Sequence, residues 1–425
     1  MVVVTLAIIL PVIYSRYSTT PPPSPAAGTN VKVDEYVPAS AWAGQFGDDP
    51  TVAVAPNGTI AVAWEGLNEL GPPSSPMGLP SFATAIFVSS SYDGGAHYST
   101  PLFVGSPGTV AALTPSLAFS SNGTLYVAYV NATNSIDQQI VVKAAPPGQN
   151  FSTGVVAETG QVLERPLLFV LSNGSLVLAF QYSDLIEWAS STDGGLAFGA
   201  PTVLGLGILT GGTEWGSNEI TLVGLSAGAT VFTTVGIWSC TFSGTGTGTP
   251  VQGNVATITI PYPYSYLLPN LSFPGPTVAE ASGLLFVVYA AVNESELRLE
   301  TSNTNGSDWA GPWTLQSGQN LTFEMPAMVT GPGGSRLALA WQAPRDGFWR
   351  TFAALYDVRT GLLSAPETVS SAPGFSATVR NWHGTGMGLA IANRDQFTVA
   401  WGDGRGLNGT FGLTQIYAST LTAQF

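Results

Sequence analysis

Ser116-Leu-Ala-Phe-Ser-Ser-Asn122-Gly-Thr-Leu-Tyr-Val-Ala-Tyr129 decides the fold. Its apolar residues alternate on both sides of an Asn-Gly pair. Alternation with period two marks a strand with one buried face, and Asn-Gly supplies the positive backbone angles of a tight hairpin. The second strand ends on an aromatic. The same sentence is written at Val52-Ala-Val-Ala-Pro-Asn57-Gly-Thr-Ile-Ala-Val-Ala-Trp64 and at Leu167-Leu-Phe-Val-Leu-Ser-Asn173-Gly-Ser-Leu-Val-Leu-Ala-Phe180. Weaker copies end near Thr233, Tyr289, Trp341 and Trp401. The mean step is about 56 residues, and four short strands with their turns need roughly 40–55. The expectation is an all-β chain, a β-propeller of four-stranded antiparallel blades. Seven repeats imply seven blades, with six as the alternative. The last repeat looks one strand short, and Val31-Lys-Val33 is expected to complete it.

A second motif follows the aromatic strand. Ser91-Tyr-Asp93-Gly-Gly95-Ala-His-Tyr98 matches Ser191-Thr-Asp193-Gly-Gly195-Leu-Ala-Phe198. Eroded copies are Ser302-Asn-Thr304-Asn-Gly306-Ser-Asp-Trp309 and Ala144-Ala-Pro-Pro-Gly148-Gln-Asn-Phe151. A short Asp can accept bonds from the N–H groups of its own turn, and Gly turns left-handed without a Cβ clash. These residues resemble the sialidase-type Asp-box, S-x-D-x-G-x-x-W/F. The resemblance implies a propeller in which Ser91, Asp93, Gly95, Tyr98, Ser191, Asp193, Gly195 and Phe198 are structural. It also implies that they lie on the face away from any active site.

The composition limits the partners. Charged residues are 9% of the chain, against about 25% in average proteins. The net charge is −14, so the basic footprint that nucleic acid requires is missing. One cysteine, Cys240, excludes an internal disulfide, and two histidines, His97 and His383, exclude a His-rich zinc site. Val2 to Tyr14 is an apolar run too short for a bilayer span of about 20 residues, and it leads into Pro21-Pro-Pro-Ser-Pro25. Met1–Asn30 therefore reads as a signal peptide or membrane anchor plus a Pro-rich linker, and 31–425 as a single propeller domain. The expected location is extracellular, secreted or anchored. Sequons for N-glycosylation begin at Asn57, Asn122, Asn131, Asn150, Asn173, Asn270, Asn293, Asn305, Asn320 and Asn408. Several are Asn-Gly and serve equally as turns.

In an up-and-down blade the first-to-second and third-to-fourth turns share one face. The Asn-Gly hairpins and the Asp-boxes therefore fall together, and the longer loops lie opposite, at a mouth. Residues leading into the first strands there include Asp48, Asp49, Thr114, Glu164, Arg165, Asn218, Glu219, Asn270, Glu324, Arg380 and Asn381. The second-to-third loops add Glu65, Gln181, Asp184, Gln342, Arg345, Asp346, Asp403 and Arg405. Paired carboxylates for glycoside hydrolysis are sought among Asp49, Glu164, Glu219 and Glu324. Carboxylate clamps are sought among Arg165, Arg345, Arg380 and Arg405, because a guanidinium grips a carboxylate with two parallel bonds. Trp42, Trp215, Tyr262, Tyr264, Tyr266 and Trp382 offer flat faces for sugar rings. No cofactor is required; a structural calcium at Asp48 and Asp49 suits such oxygen-rich ground.

The sialidase resemblance implies three arginines on a substrate carboxylate, a Tyr–Glu nucleophile pair and an Asp acid/base. Glu164-Arg165-Pro166 resembles the family's Arg-Ile-Pro, but it stands in the third repeat rather than the first. Sialidases are six-bladed, which departs from the repeat count. The leading expectation is a propeller that binds glycans or a cell-surface protein without catalysis. The alternatives are an exo-glycosidase of sialidase type and a structural component of the cell envelope. A membrane is met only through the N-terminal segment.

Overall fold

Short alternating strands punctuated by Gly, Asn and Pro leave helix no room. The computed structural model describes residues 20–34, 46–69, 82–105, 111–132, 137–215, 219–226, 232–242, 248–253, 260–261, 276–291, 296–304, 308–318, 324–372, 374, 387–405 and 415–425. Among them the only helical element is the single 3-10 turn Pro332–Gly334. Among the described residues the strands form seven antiparallel sheets, numbered here in the chain order of their first strands from Phe46 onward. Sheet 1 holds Phe46–Val54, Ile60–Glu69, Phe82–Ser91 and Leu102–Phe103. Sheet 2 holds Ala111–Phe119, Leu125–Ala132, Gln138–Ala145 and Val155–Gly160. Sheet 3 holds Leu163–Val170, Leu176–Tyr182, Leu185–Ser191 and Thr202–Leu206. Sheet 4 holds Ile208–Trp215, Glu219–Ser226, Phe232–Phe242 and Gly248–Gly253, with Ile260–Pro261 also on its third strand. Sheet 5 holds Thr277–Ala281, Leu284–Ala291, Glu296–Ser302 and Ala310–Ser317. Sheet 6 holds Glu324–Thr330, Arg336–Arg345, Phe348–Asp357 and Leu362–Leu363, with Glu367–Thr368 also on its third strand. Sheet 7 holds Met387–Asn393, Gln396–Asp403, Gln415–Thr422 and, on its outer edge, Val31–Lys32.

The first strand of each sheet packs against that of the next, and the first strand of sheet 7 packs against that of sheet 1. A strand with apolar residues on both faces can bury them only between two neighbouring sheets, and the cores lie there. Ala61, Ile86 and Val88 of sheet 1 meet Leu117, Val127 and Tyr129 of sheet 2. Phe286, Val288 and Leu299 of sheet 5 meet Leu339, Trp341 and Tyr356 of sheet 6. Val52, Val62 and Trp64 of sheet 1 meet Ala400, Ile416 and Ala418 of sheet 7. The second-strand aromatics that marked the repeat are buried, and three of them stack on a ring of the third strand. The ring centres are 5.9 Å apart for Trp64 and Phe87, 6.2 Å for Trp341 and Phe352, and 6.3 Å for Trp401 and Tyr417.

The two ends of the sheets differ. At the turn end the Asp-box residues close on themselves. Ser91 Oγ donates to Asp93 Oδ1 at 2.8 Å, and Asp93 Oδ1 accepts the His97 N–H at 2.9 Å. Asp193 Oδ1 accepts from Ser191 Oγ and from the N–H groups of Leu196 and Ala197 at 2.7–3.1 Å. Tyr98, Phe151 and Phe198 fold back onto the inter-sheet cores. Gly95 is left-handed at φ 92°, and a Cβ there would strike Thr420 Oγ1 of sheet 7.

The N-terminal segment runs up the outer edge of sheet 7. Ala26 bonds Thr422 near the turn end, Val31 pairs with Ala418, and the Val33 N–H bonds Ile416 near the mouth.

Two expectations need correction. The fourth repeat was read one strand out of phase: its second strand is Glu219–Ser226, and Ile208–Trp215 is its first. Trp215 pairs with Glu219 across the first-to-second hairpin, so both belong to the turn end and not to the mouth. The cause is local, since this repeat lacks both the Asn-Gly turn and the Asp-box. Second-to-third connections are also not uniformly long. In sheet 3, Tyr182 pairs directly with Leu185 around Ser183-Asp184, and in sheet 6, Arg345 pairs with Phe348 around Asp346-Gly347. Ser183 and Asp346 are left-handed, as tight hairpins demand.

Candidate functional site: the mouth

In sheets 1, 2, 3 and 6 the first strand reaches the mouth through an X-Pro step. In sheet 1 the ladder skips from Asp48 to Thr51, leaving out Asp49-Pro50. In sheet 2 it skips Thr114-Pro115, in sheet 3 Arg165-Pro166 and in sheet 6 Met325-Pro326. Proline has no N–H to give a ladder, so a bulge is its natural place. Asp49, Thr114 and Arg165 turn left-handed there, with φ of 46°, 47° and 51°. That conformation costs a non-glycine residue on the order of 1–3 kcal/mol. The prolines are buried and the three bulged residues are half-buried. Three candidates, Asp49, Thr114 and Arg165, thus occupy equivalent places in consecutive sheets, with Glu164 beside Arg165. The recurring proline was a readable signal for this bulge, visible also at Pro276-Thr277 of sheet 5.

Behind the bulges, in sheets 1, 3 and 6, stands a polar side chain one residue past the second-strand aromatic. Glu65 follows Trp64; its Oε2 accepts the Thr114 N–H at 3.3 Å and ties sheet 1 to sheet 2. Gln181 follows Phe180, and its Nε2 donates to the Ser183 carbonyl at 2.7 Å. Gln342 follows Trp341, and its Nε2 reaches the Gly402 carbonyl of sheet 7 at 3.5 Å. All three are buried, and Oε1 of Gln181, Oε1 of Gln342 and Oγ1 of Thr114 find no partner. Orphaned acceptors in a buried place are uncommon, and each costs about 1–3 kcal/mol of desolvation.

A narrow cleft opens between sheets 6 and 7, with about 230 Å³ of empty space including open solvent. Gln342, Trp349, Thr351, Trp401 and Asp403 are among its lining residues. Arg405 follows the lining residue Gly404, and its guanidinium is held by several partners. Its Nε donates to Asp403 Oδ2 at 2.8 Å, and Nη2 makes a further short bond to the same oxygen. Nη1 bonds Asn30 Oδ1 at 3.1 Å and Ser371 Oγ at 3.0 Å. The guanidinium lies 4.1 Å from the Tyr417 ring centre. Asp403 Oδ2 also accepts the Trp401 indole N–H at 2.9 Å. This knot joins the N-terminal segment to sheets 6 and 7. Arg345 sits apart on the exposed hairpin tip of sheet 6, bonded to Thr368 Oγ1 at 2.9 Å.

One Tyr–Glu pair escaped the sequence reading. Tyr289 of sheet 5 donates its hydroxyl to Glu300 Oε1 at 2.8 Å, with both residues buried. Burial pushes the phenol well above its usual range and raises the carboxyl too. A phenol held neutral in this way is a packing group, not an activated nucleophile. The nearby Arg298 is bonded to Glu296 at 2.8 Å.

The side chains of Asp48, Trp215, Glu219 and Glu324 are not among those described, and Tyr262, Tyr264, Tyr266, Arg380 and Trp382 lie outside the described residues. Among the described residues no group of three or more His, Cys, Asp or Glu could hold a metal ion, and no helix is long and apolar enough to cross a membrane.

No family model matches the chain, and no curated protein matches it in sequence. Solved structures do. The chain superimposes on the NanB sialidase of Streptococcus pneumoniae with a TM-score of 0.51 at 12% identity, covering 92% of this chain and 70% of that one. The fold is a sialidase-like β-propeller. A phage endosialidase gives a TM-score of 0.52 at 11% identity over 94% of this chain and 70% of that one. A Dyadobacter fermentans protein of unknown function gives 0.53 at 11% identity, over 95% of this chain and 100% of that one. Likeness at such identity defines the sialidase-like scaffold and leaves the chemistry to the residues.

Proposed function

We propose that this chain is an extracellular sialidase-like propeller that binds glycans or a cell-surface protein through its mouth, without catalysis. The observation that carries this reading is the state of Arg405. The arginine at the cleft is locked to Asp403, Asn30, Ser371 and Tyr417, so it holds the scaffold together and offers no fork to a substrate carboxylate. The bulged residues and the unpartnered acceptors of Gln181 and Gln342 supply hydrogen-bonding ground of the kind that sugar hydroxyls satisfy. A second reading, an exo-glycosidase of sialidase type, is favoured by one arrangement: Glu164 and Arg165 stand side by side at a strained mouth position.

A glycan array run beside a panel of fluorogenic glycosides separates the two. The binding reading expects array signal that weakens in Arg165→Ala and Gln342→Leu, with no turnover. Sugar release by the wild type that is lost in Arg165→Ala and Glu164→Gln would overturn it. Neither binding nor release would leave a structural envelope component.

A further inference from the structure

Four N-x-[S/T] sequons lie wholly within the described residues and Asn131 begins a fifth, and the structure divides these asparagines into two kinds. A transferase that modifies a folded chain must reach two groups, the Asn amide nitrogen and the hydroxyl of the third residue. Asn57 is exposed at the sheet 1 hairpin, and its Oδ1 accepts the Thr59 N–H at 3.0 Å, a bond that does not use Nδ2. Thr59 is only half-buried, and nothing lies within 4 Å of a Cβ built on the intervening Gly58. Asn150 and Ser152 are both exposed in the third-to-fourth turn of sheet 2. Ser152 Oγ accepts the Ala144 N–H at 3.1 Å, so its own O–H remains available.

The other three differ. Asn122 and Asn173 are exposed and make the same turn as Asn57, with Oδ1 bonded to the Thr124 and Ser175 N–H groups at 3.0 and 2.9 Å. Their hydroxyl residues are buried, however: Thr124 is 8% and Ser175 6% exposed. Asn122 is further crowded, since Pro147 Cγ stands 3.3 Å from a Cβ on Gly123. Asn131 is half-buried inside a sheet 2 strand, with its Oδ1 enclosed.

We infer that Asn57 and Asn150 are N-glycosylation sites of the folded chain, and that Asn122, Asn131 and Asn173 stay bare. In the transfer, Nδ2 bonds to the anomeric carbon of a glycan carried on a lipid pyrophosphate. The glycosyl–oxygen bond breaks, the lipid pyrophosphate leaves with the electron pair, and Nδ2 gives up one proton. Both sites sit at the turn end, so attached glycans leave the mouth open.

The inference takes its setting from the extracellular reading, but its test does not depend on export. The purified folded chain, and a synthetic peptide for each of the five sequons, are incubated with a single-subunit oligosaccharyltransferase and a lipid-linked donor. Glycopeptides are then read by mass spectrometry. The expected result is transfer to every peptide, but, of these five sites in the folded chain, only to Asn57 and Asn150, with loss at each site in Thr59→Ala and Ser152→Ala. Both substitutions keep the backbone bonds of their turns. Absence of transfer to Asn57 and Asn150, or equal transfer to Asn122 and Asn173, would overturn the inference. Glycan binding at the mouth with a bare Asn57 would sink this inference and leave the proposed function standing.

Discussion

The same strands end in two unlike ways. At the turn end, an Asp or Asn side chain satisfies the N–H groups of its own hairpin, as Asp93, Asp193, Asn57, Asn122 and Asn173 do. These bonds are made within a few residues, so the solution can be copied from sheet to sheet, although the buried Tyr98 hydroxyl of the first Asp-box finds no partner among the described residues. At the mouth, Asp49, Thr114 and Arg165 hold left-handed backbone, and Gln181, Gln342 and Thr114 bury acceptors that nothing answers. Strain and unpaired polar atoms persist only where the surroundings enforce them. The difference teaches that one end is built for local stability, while the other carries a cost that the proposed binding role would put to use. Substitutions should therefore lower stability at the turn end and alter binding at the mouth.

The sharpest exception to that division is expected at Asp403. It is a mouth residue, yet Asp403→Ala leaves Arg405 without its buried partner, and breaking such a pair costs about 3–5 kcal/mol. Chemical denaturation should show a lower midpoint together with faster exchange of the Val31 and Val33 amides; an unchanged midpoint would remove the knot from the account. Next comes Gly95→Ala at the turn end. The left-handed backbone and the clash with Thr420 predict a loss of about 1–3 kcal/mol, with binding unchanged once folded. Smaller is Gln342→Leu, which removes an unanswered carbonyl. Its stability should stay within about 1 kcal/mol of wild type while array signal falls; a marked drop in melting temperature with binding intact would erase the contrast between the ends.

The smallest effect is in acid. Hydrogen bonds from the His97 side chain and backbone, then Ser91, hold Asp93 down at about 2, and the bond from Ser191 lowers Asp193. A depressed carboxylate contributes stability that is full above its ordinary value of 3.8 and is lost as pH falls toward 2. Melting temperature followed down this window should fall less steeply in an Asp93→Asn, Asp193→Asn variant. Parallel curves would detach the aspartates from turn stability.

Legibility follows the range of the chemistry. The hairpins at Asn57, Asn122 and Asn173 and the turns at Asp93 and Asp193 are self-contained, so their spacing alone outlined sheets 1 to 3. Sheet 4 was misphased because Gly207 alone separates Thr202–Leu206 from Ile208–Trp215, and Gly211-Gly212 gives the strand a loop-like composition. At the mouth, the equivalence of Asp49, Thr114 and Arg165 was written in their following prolines, although only the ladder reveals the bulge. The Asp403–Arg405–Asn30 knot joins residues at opposite ends of the chain, and no local pattern announces it. The Tyr289–Glu300 pair was hidden for a simpler reason: neither residue departs from ordinary strand alternation.

The pairing of Val31–Lys32 with Gln415–Thr422 carries a consequence for the order of events in biosynthesis. The outer strand of sheet 7 lies far upstream of its partner in the sequence, so it is made long before that partner. Until that partner emerges, Val33 has no core to enter and the edge has no ladder to join. Sheets 1 to 3, whose contacts are mostly local, can assemble meanwhile, whereas sheet 7 waits on the longest loop closure in the molecule. Completion of sheet 7 thus waits on Gln415–Thr422, and a nascent chain stalled short of Gln415 would hold Val31–Lys32 without its ladder partner.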